Sequence, residues 1–226
     1  MGTITVGSAQ PNGPAGTVTV TGTGRAEAAP DLTLVTLGVE TRAASVDAAY
    51  SAAGAALASV TEALRAGGVA AADVQSTGLN VRADYVWREG EGQQVAGYVA
   101  SSSLGVRLRD AAAVSGLIGE AVRAGGNAVR LNSLQLTLAD DSAARERARA
   151  AAWEDALQAA RQFAALASAG LGRVLSVTEH APGQVPVPLA GLQRASSAES
   201  IAVEPGTSRV ETAVTVVWEL ASPAPA

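Results

Sequence analysis

The octapeptide ALRAGGVA at residues 63–70 recurs as AVRAGGNA at residues 121–128. Each copy ends a segment with helical spacing of apolar residues, and paired glycines are typical of a helix C-terminus. Each copy also leads into a segment with strand character. Two interpretations stay open: two independent glycine caps in an alanine-rich chain, or a pseudo-twofold repeat of one structural unit.

The elements around the two octapeptides predict the fold class. The first helix is predicted over residues 45–65, with Ser45 as its N-cap, and the second over residues 111–123, opened by Asp110. Alternating apolar residues predict four strands, the middle two joined as a hairpin: residues 32–41, 79–87, 95–109 and 128–138. This β-α-β-β-α-β order is that of a split β-α-β core. We therefore expect an α+β fold with a mostly antiparallel sheet covered by helices on one face.

Further elements flank this core on both sides. Upstream, residues 17–22 alternate as a strand and residues 24–31 read as a turn. Downstream, the sequence predicts a long Ala-rich helix at 143–168 with cap oxygens at 140–142, and strands at 173–179 and 210–220. The predicted domain organisation follows from these elements: a flexible lead-in over 1–16, a single domain over 17–220 with a proline-rich arm at 181–208, and a disordered tail over 221–226.

The long helix is unusual because its predicted inner stripe consists mostly of small side chains. That stripe comprises Ala144, Ala148, Ala151, Ala152, Ala156, Ala159, Phe163 and Leu166. Small side chains let a helix approach a sheet, another helix or a second copy closely. Arg145, Arg149 and Trp153 are candidate interface residues on this helix. The alternatives are a solvated face for the two arginines and a core position for Trp153.

Three aromatic residues share the predicted inner phase of the hairpin: Tyr85, Trp87 and Tyr98. Large aromatic side chains on the inner face of a strand pair are typical of a hydrophobic core. They could instead line a ligand groove. In that second interpretation, the proline-rich arm at 181–208 would be a lid over the groove.

Composition narrows the function classes. The chain has 226 residues and a net charge of −5, which argues against nucleic-acid binding. It has no cysteine and one histidine, and no metal-ligand spacing occurs, so we expect neither a metal nor another cofactor. No apolar run is long enough to span a membrane. The N-terminus lacks the basic and apolar regions of a signal peptide, which predicts a cytoplasmic location if the chain is full-length.

Catalytic motifs are not found. His180 follows a predicted strand, and a hydrolase that used it would need a nucleophile and a carboxylate brought close by folding. The sequence contains no nucleophile-elbow pattern. Asp140 and Asp141 are interpreted as helix caps and not as a catalytic pair. The sequence therefore assigns no catalytic residue.

Motifs spread along the chain resemble one known family. These motifs are VTGTGRAEAAPDLTLVTLGVET, GGVAAADVQSTGLNV, GYVASSSLGVRLRD, AGGNAVRLNSLQLTLAD, ARERARAAAWEDALQAARQFAALA, LGRVLSVTE and VTVVWEL. Their order and spacing over residues 17–220 are similar to the SIMPL-domain family, also called domain of unknown function 541. The resemblance implies an α/β domain without established catalytic residues. It also implies bacterial relatives that are exported to the periplasm or cell envelope, linked to oxidative stress, or assembled into rings.

The residues and the resemblance together predict a non-enzymatic, self-associating protein, with a stress-protective or envelope-associated role. Self-association is suggested by the alanine-lined helix, the proline-rich arm and strands that could pair at a sheet edge. The alternative is a binding module for a small molecule or peptide. A hydrolase based on His180 is a further rival.

Overall fold

The computed structural model describes residues 3–5, 16–180 and 206–221. Residues 181–205 of the predicted proline-rich arm and residues 222–226 of the predicted tail lie outside these ranges. The strands and helices are β1 (Thr3–Thr5), β2 (Thr17–Ala28), β3 (Leu32–Ala43), α1 (Val46–Ala66), β4 (Val74–Arg88), β5 (Gly92–Leu108), α2 (Val114–Gly125), β6 (Val129–Thr137), α3 (Ser142–Leu166), β7 (Gly170–His180) and β8 (Ser208–Ala221). The α+β class is confirmed.

The chain divides into two compact units, each with its own sheet and core. The inserted unit consists of β3, α1, β4, β5, α2 and β6. The flanking unit consists of β1, β2, α3, β7 and β8 and is built from both ends of the chain. The single domain over residues 17–220 stays a prediction. The expected single sheet is replaced by two four-stranded sheets, because the chain leaves one sheet after Ala28 and enters the other at Leu32.

The inserted unit contains the predicted β-α-β-β-α-β core. Its strand order is β4-β5-β3-β6, and each neighbouring pair is antiparallel. Both helices pack against the sheet through a core of branched side chains. The buried members of that core include Val35, Leu37, Val39, Val60, Leu64, Leu104, Val106 and Val114.

The two octapeptides occupy equivalent places in this unit, which supports the pseudo-twofold interpretation. Gly68 and Gly126 both have positive φ, at 91° and 55°, and both follow a helix end. A Cβ at Gly67 would lie 2.2 Å from Leu117 Cδ2 of α2, and one at Gly125 would lie 2.7 Å from Val60 Cγ2 of α1. Each helix therefore ends in a glycine that lets a side chain of the other helix approach.

The flanking unit has the strand order β1-β2-β8-β7, again with antiparallel neighbours. Strand β2 pairs with β8 along its whole length, from Thr17 opposite Glu219 to Ala28 opposite Ser208. Two expectations change here. Thr3–Thr5 of the predicted lead-in form β1 along β2. Gly24–Ala28, predicted as a turn, continue β2, because their glycine serves close packing and not chain reversal.

Helix α3 packs onto this sheet through a strict row of alanines spaced four residues apart. The buried residues of the helix are Ala144, Ala148, Ala152, Ala156, Ala160 and Ala164. The predicted stripe is thus wrong in part: Ala151 and Leu166 are exposed, and Ala160 and Ala164 were missed. A row of residues four apart is inclined to the helix axis by about 26°. That inclination matches the rotation of about 20–25° between neighbouring strands.

Two glycines of β2 bring the backbone of α3 almost into contact with the sheet. A Cβ on Gly24 would lie 2.0 Å from Ala148 O, and a Cβ on Gly22 would lie 2.2 Å from Ala152 O. Between them, Thr23 N donates a hydrogen bond of 2.8 Å to Asp155 of α3. Only glycine fits at these two positions, so the alanine row is covered within its own unit.

Candidate interaction surface on the β4–β5 arm

Strands β4 and β5 extend beyond the rest of their sheet as a two-stranded arm, which we define as residues 84–97. Pairing between β3 and β5 ends at Ala43 opposite Tyr98, whereas β4 and β5 stay paired as far as Arg88 opposite Gly92. Helix α1 begins at Val46, directly after β3. The arm therefore continues past the point where the helix layer begins.

The arm exposes large apolar side chains. Trp87 is 79% exposed and Tyr85 is 53% exposed, and Val86 and Val95 are also exposed. Alternation along β4 places Tyr85 and Trp87 on the helix-covered face with Val81, which packs against the core. No described helix covers that face beyond Ala83, so the two aromatic rings face solvent. The interpretation of Tyr85 and Trp87 as core residues is wrong.

The three aromatic residues predicted to share one face lie in two environments, because the helices cover only part of that face. Tyr98 lies opposite Ala83 and packs, half-buried, against the core of the inserted unit. Tyr85 pairs with Val95 on the arm. Sequence reasoning missed Val86 and Val95 as members of this surface. An available signal was Val86 itself, an apolar residue in the otherwise polar phase of β4.

Charged residues border the apolar surface of the arm. Asp84 lies 3.6 Å from Arg42 of β3, measured between the carboxylate and the guanidinium. Glu91 accepts a hydrogen bond of 2.8 Å from Gln94. Arg88, at the end of β4, makes no ion pair with any residue that the structure describes. The arm thus combines exposed aromatic rings with charges of both signs.

The candidate interface residues on α3 have partners inside the flanking unit. Arg149 Nε donates a hydrogen bond of 2.8 Å to Glu179 of β7, and Arg145 is paired with Asp141. The rings of Trp153 and the buried Trp218 have centroids 5.9 Å apart. Trp153 therefore packs at the core, as one of the two interpretations expected.

Ionisation in this region follows from the same contacts. The hydrogen bond from Arg149 lowers the pKa of Glu179, and a second hydrogen bond from Thr212 acts in the same direction. The hydrogen bond to Glu179 and the carboxylate's charge raise the pKa of Arg149. The hydrogen bond from the backbone N–H of Ser142 lowers the pKa of Asp140, so the Asp140 side chain binds the first residue of α3. These shifts favour the charged forms, as structural ion pairs do. The N-cap residue is Asp141, whose side chain makes no capping hydrogen bond, so its interpretation as a side-chain cap is wrong.

His180 lies at the end of β7 on a row of hydroxyl groups. Its Nε2 is 2.9 Å from Thr215 Oγ1, which in turn is 2.8 Å from Thr21 Oγ1. Among the described residues, no carboxylate bonds to the imidazole. The described residues therefore do not assemble a general base oriented by a carboxylate at this position.

Metal ligands and membrane-spanning helices are two further features that would indicate a function. Over residues 3–5, 16–180 and 206–221, no three His, Asp or Glu side chains come together as a metal site requires. In the same part of the chain, none of the helices is long and apolar enough to cross a membrane.

Comparison with known proteins assigns the family. The family model SIMPL, described as a protein of unknown function (DUF541), matches residues 18–218. The chain is 30% identical over 212 residues to the 26 kDa periplasmic immunogenic protein of Brucella melitensis, covering 90% of this chain and 84% of the relative. It is 31% identical over 196 residues to the uncharacterized protein YggE of Escherichia coli K12, covering 86% and 77% of the two chains. The chain belongs to the SIMPL family.

Proposed function

We propose that this chain is a non-enzymatic, self-associating protein of the cell envelope, and that the β4–β5 arm is its main contact. The exposed surface of Tyr85, Val86, Trp87 and Val95 carries the proposal. Exposed apolar residues that cluster on a protruding element are typical of interaction sites. Tyrosine and tryptophan are enriched in protein–protein interfaces.

The sequence prediction of self-association depended on three features, and the proposal keeps only the strand edges. The alanine row of α3 is covered by β2 and β8 within its own unit, so it does not support a contact between copies. The proline-rich arm lies largely outside the described residues. The remaining feature is strand edges, and the β4–β5 arm adds exposed aromatic residues to one of them.

An envelope location is supported by the relatives from Brucella, whose name describes them as periplasmic. The stress-protective role implied by the family resemblance would act through assembly. Side-chain sulfur cannot carry it, because the chain has no cysteine and one methionine.

A small-molecule or peptide module is the second candidate, and the structure favours it less. Ligand pockets bury most of the ligand against side chains that are themselves enclosed. Trp87 is too exposed to line an enclosed pocket. A hydrolase is favoured less still, because among the described residues the imidazole of His180 hydrogen-bonds to Thr215 and to no carboxylate.

Native mass measured by light scattering after size exclusion tests the proposal. We expect the wild type to give a multiple of 22.4 kDa, and the double variant Tyr85→Ser/Trp87→Ser to shift toward the single-chain mass. Tyr50→Ser is the matched control, because Tyr50 on α1 is also 53% exposed but lies outside the β4–β5 arm. A wild type that stays at the single-chain mass across the concentration range would refute self-association.

A further inference from the structure

We propose that two copies pair through the outer edge of β4, in an antiparallel register centred on Val86 with a twofold axis perpendicular to the sheet. This inference rests on the self-association proposed above and specifies its contact. Residues 84–88 of each copy would pair, and the two inserted-unit sheets would be joined through the ends of their β4–β5 arms.

The first argument compares the edge strands of the two sheets, which are β1, β7, β4 and β6. Strand β1 has three residues and β6 has nine. The pairing of β7 with β8 is interrupted by two register shifts. Strand β4 has 15 residues and no proline. A long edge strand presents unpaired backbone groups as a template for another strand.

The outer part of β4 is also regular. The register shift at Ser76–Gly78 lies near its start, and the shift at Asp84–Tyr85 places the extra residue, Ala96, in β5. The pairing centred on Val86 uses residues 84–88, the last five of β4, and this stretch has no extra residue of its own.

The second argument is charge complementarity. With a twofold axis perpendicular to the sheet, residues opposite each other lie on the same face of the joined sheet. Centring the pair on Val86 sets Asp84 opposite Arg88 of the second copy, and symmetry makes this contact twice. Arg88 has no ion-pair partner in the described parts of its own chain, and opposite charges across a strand pair are stabilising.

The same register pairs the aromatic residues. Tyr85 lies opposite Trp87 of the second copy, again twice, on the other face of the joined sheet. Cross-strand aromatic pairs stabilise antiparallel sheets. Both neighbouring registers lose these contacts: centring on Tyr85 sets Arg82 opposite Arg88, and centring on Trp87 sets Arg88 opposite Val86 and Tyr85 opposite Glu89. Val86 is therefore the centre that the charges select.

A single cysteine tests the position of the axis, because the chain contains no other thiol. Residues directly opposite in an antiparallel pair have Cα atoms about 4.5–5.5 Å apart, within the range of about 4.4–6.8 Å that a disulfide requires. We expect Val86→Cys to form a covalent dimer under mild oxidation. Leu79→Cys is the control: it is exposed on the same strand, but its two copies would lie about 45 Å apart.

Charge reversal provides a second test that does not depend on oxidation. We expect Asp84→Arg or Arg88→Asp alone to weaken association at least about tenfold, because each sets like charges opposite. The charge variants are compared in an Arg42→Ser background, because Asp84 lies 3.6 Å from Arg42 of its own chain. In that background the double variant Asp84→Arg/Arg88→Asp should restore the affinity, since the pair is rebuilt with its signs exchanged.

The outcomes separate this inference from the proposed function. A multimeric wild type in which Val86→Cys yields no more covalent dimer than Leu79→Cys overturns the pairing and leaves self-association in place. Absence of rescue in the double charge variant overturns it as well. A wild type that has only the single-chain mass overturns both.

Discussion

In the inserted unit, two helices pack on a four-stranded sheet through branched side chains such as Val60, Leu64 and Val114. In the flanking unit, one helix of 25 residues packs on a four-stranded sheet through alanines, above Gly22 and Gly24. The first core depends on filling space between layers. The second depends on removing side chains so that the layers can touch. We therefore expect the inserted unit to be sensitive to truncation and the flanking unit to be sensitive to enlargement.

The largest effect is expected for Gly24→Ala in the flanking unit. The added Cβ would lie 2.0 Å from Ala148 O and 2.3 Å from Ala152 N, and both are backbone atoms of α3. Ordinary overpacking costs up to about 3 kcal/mol, and we expect a larger loss of stability here because backbone cannot turn aside as a side chain can. Urea unfolding followed by tryptophan fluorescence measures this loss, in a Trp87→Phe background that leaves only Trp153 and Trp218 of the flanking unit.

Gly54→Ala is the matched control for that substitution. Gly54 lies inside α1, and a Cβ added there would have no atom of a described neighbouring element within 4 Å. Alanine in a helix interior is more stable than glycine by about 0.5–1 kcal/mol. An equal response of the two variants would show that α3 can move away from the sheet at little cost.

An intermediate effect is expected for Leu37→Ala in the inserted unit. Leu37 is 1% exposed and belongs to the core between sheet and helices. Truncation should cost about 3 kcal/mol, because the cavity closes only in part. Far-UV circular dichroism during urea unfolding measures the change. Leu34→Ala on the same strand is the control, since Leu34 is 36% exposed; a similar loss at both positions would contradict the proposed core.

The smallest effect is expected for Glu179→Gln, which removes an ion pair at the surface of the flanking unit. The folded-state pKa of Glu179 is lowered by the hydrogen bond from Arg149. The pair therefore adds stability at neutral pH, and this contribution disappears as the pH falls through the folded-state pKa. Thermal unfolding of wild type and variant should differ at neutral pH and converge in acid. Arg149→Gln should behave in the same way, and the double variant should lose no more than either single one.

Local chemistry explains which features were predictable from the sequence. Ser45 caps α1, as expected, because its hydroxyl reaches Ala48 N only three residues away. The glycine pairs end both predicted helices through contacts within one turn. The alternation of apolar residues along β6 breaks at Asn132–Ser133, and Asn132 is the extra residue where Thr36–Leu37 pair with β6.

Features that depend on distant residues were not predictable. Gly24 looks like a turn signal, but its role is set by Ala148 and Ala152, which come more than a hundred residues later. Tyr85 and Trp87 lie in the apolar phase of β4, as the sequence indicates. Alternation shows which face of the strand a residue lies on, but not where the helix that covers this face begins. The sequence therefore indicated Tyr85 and Trp87 as candidates, but only the structure shows that their side chains are exposed.

The order of the units along the chain has a consequence for synthesis. All strands and helices of the inserted unit lie between Leu32 and Thr137, so they leave the ribosome together. Strand β2 leaves earlier still, yet its long partner β8 (Ser208–Ala221) is made only after α3 and β7. Contiguous segments can fold during translation, whereas contacts between distant segments must wait for both to exist. The inserted unit can thus fold on the ribosome while β2 remains without β8 until the inserted unit, α3 and β7 have all been translated.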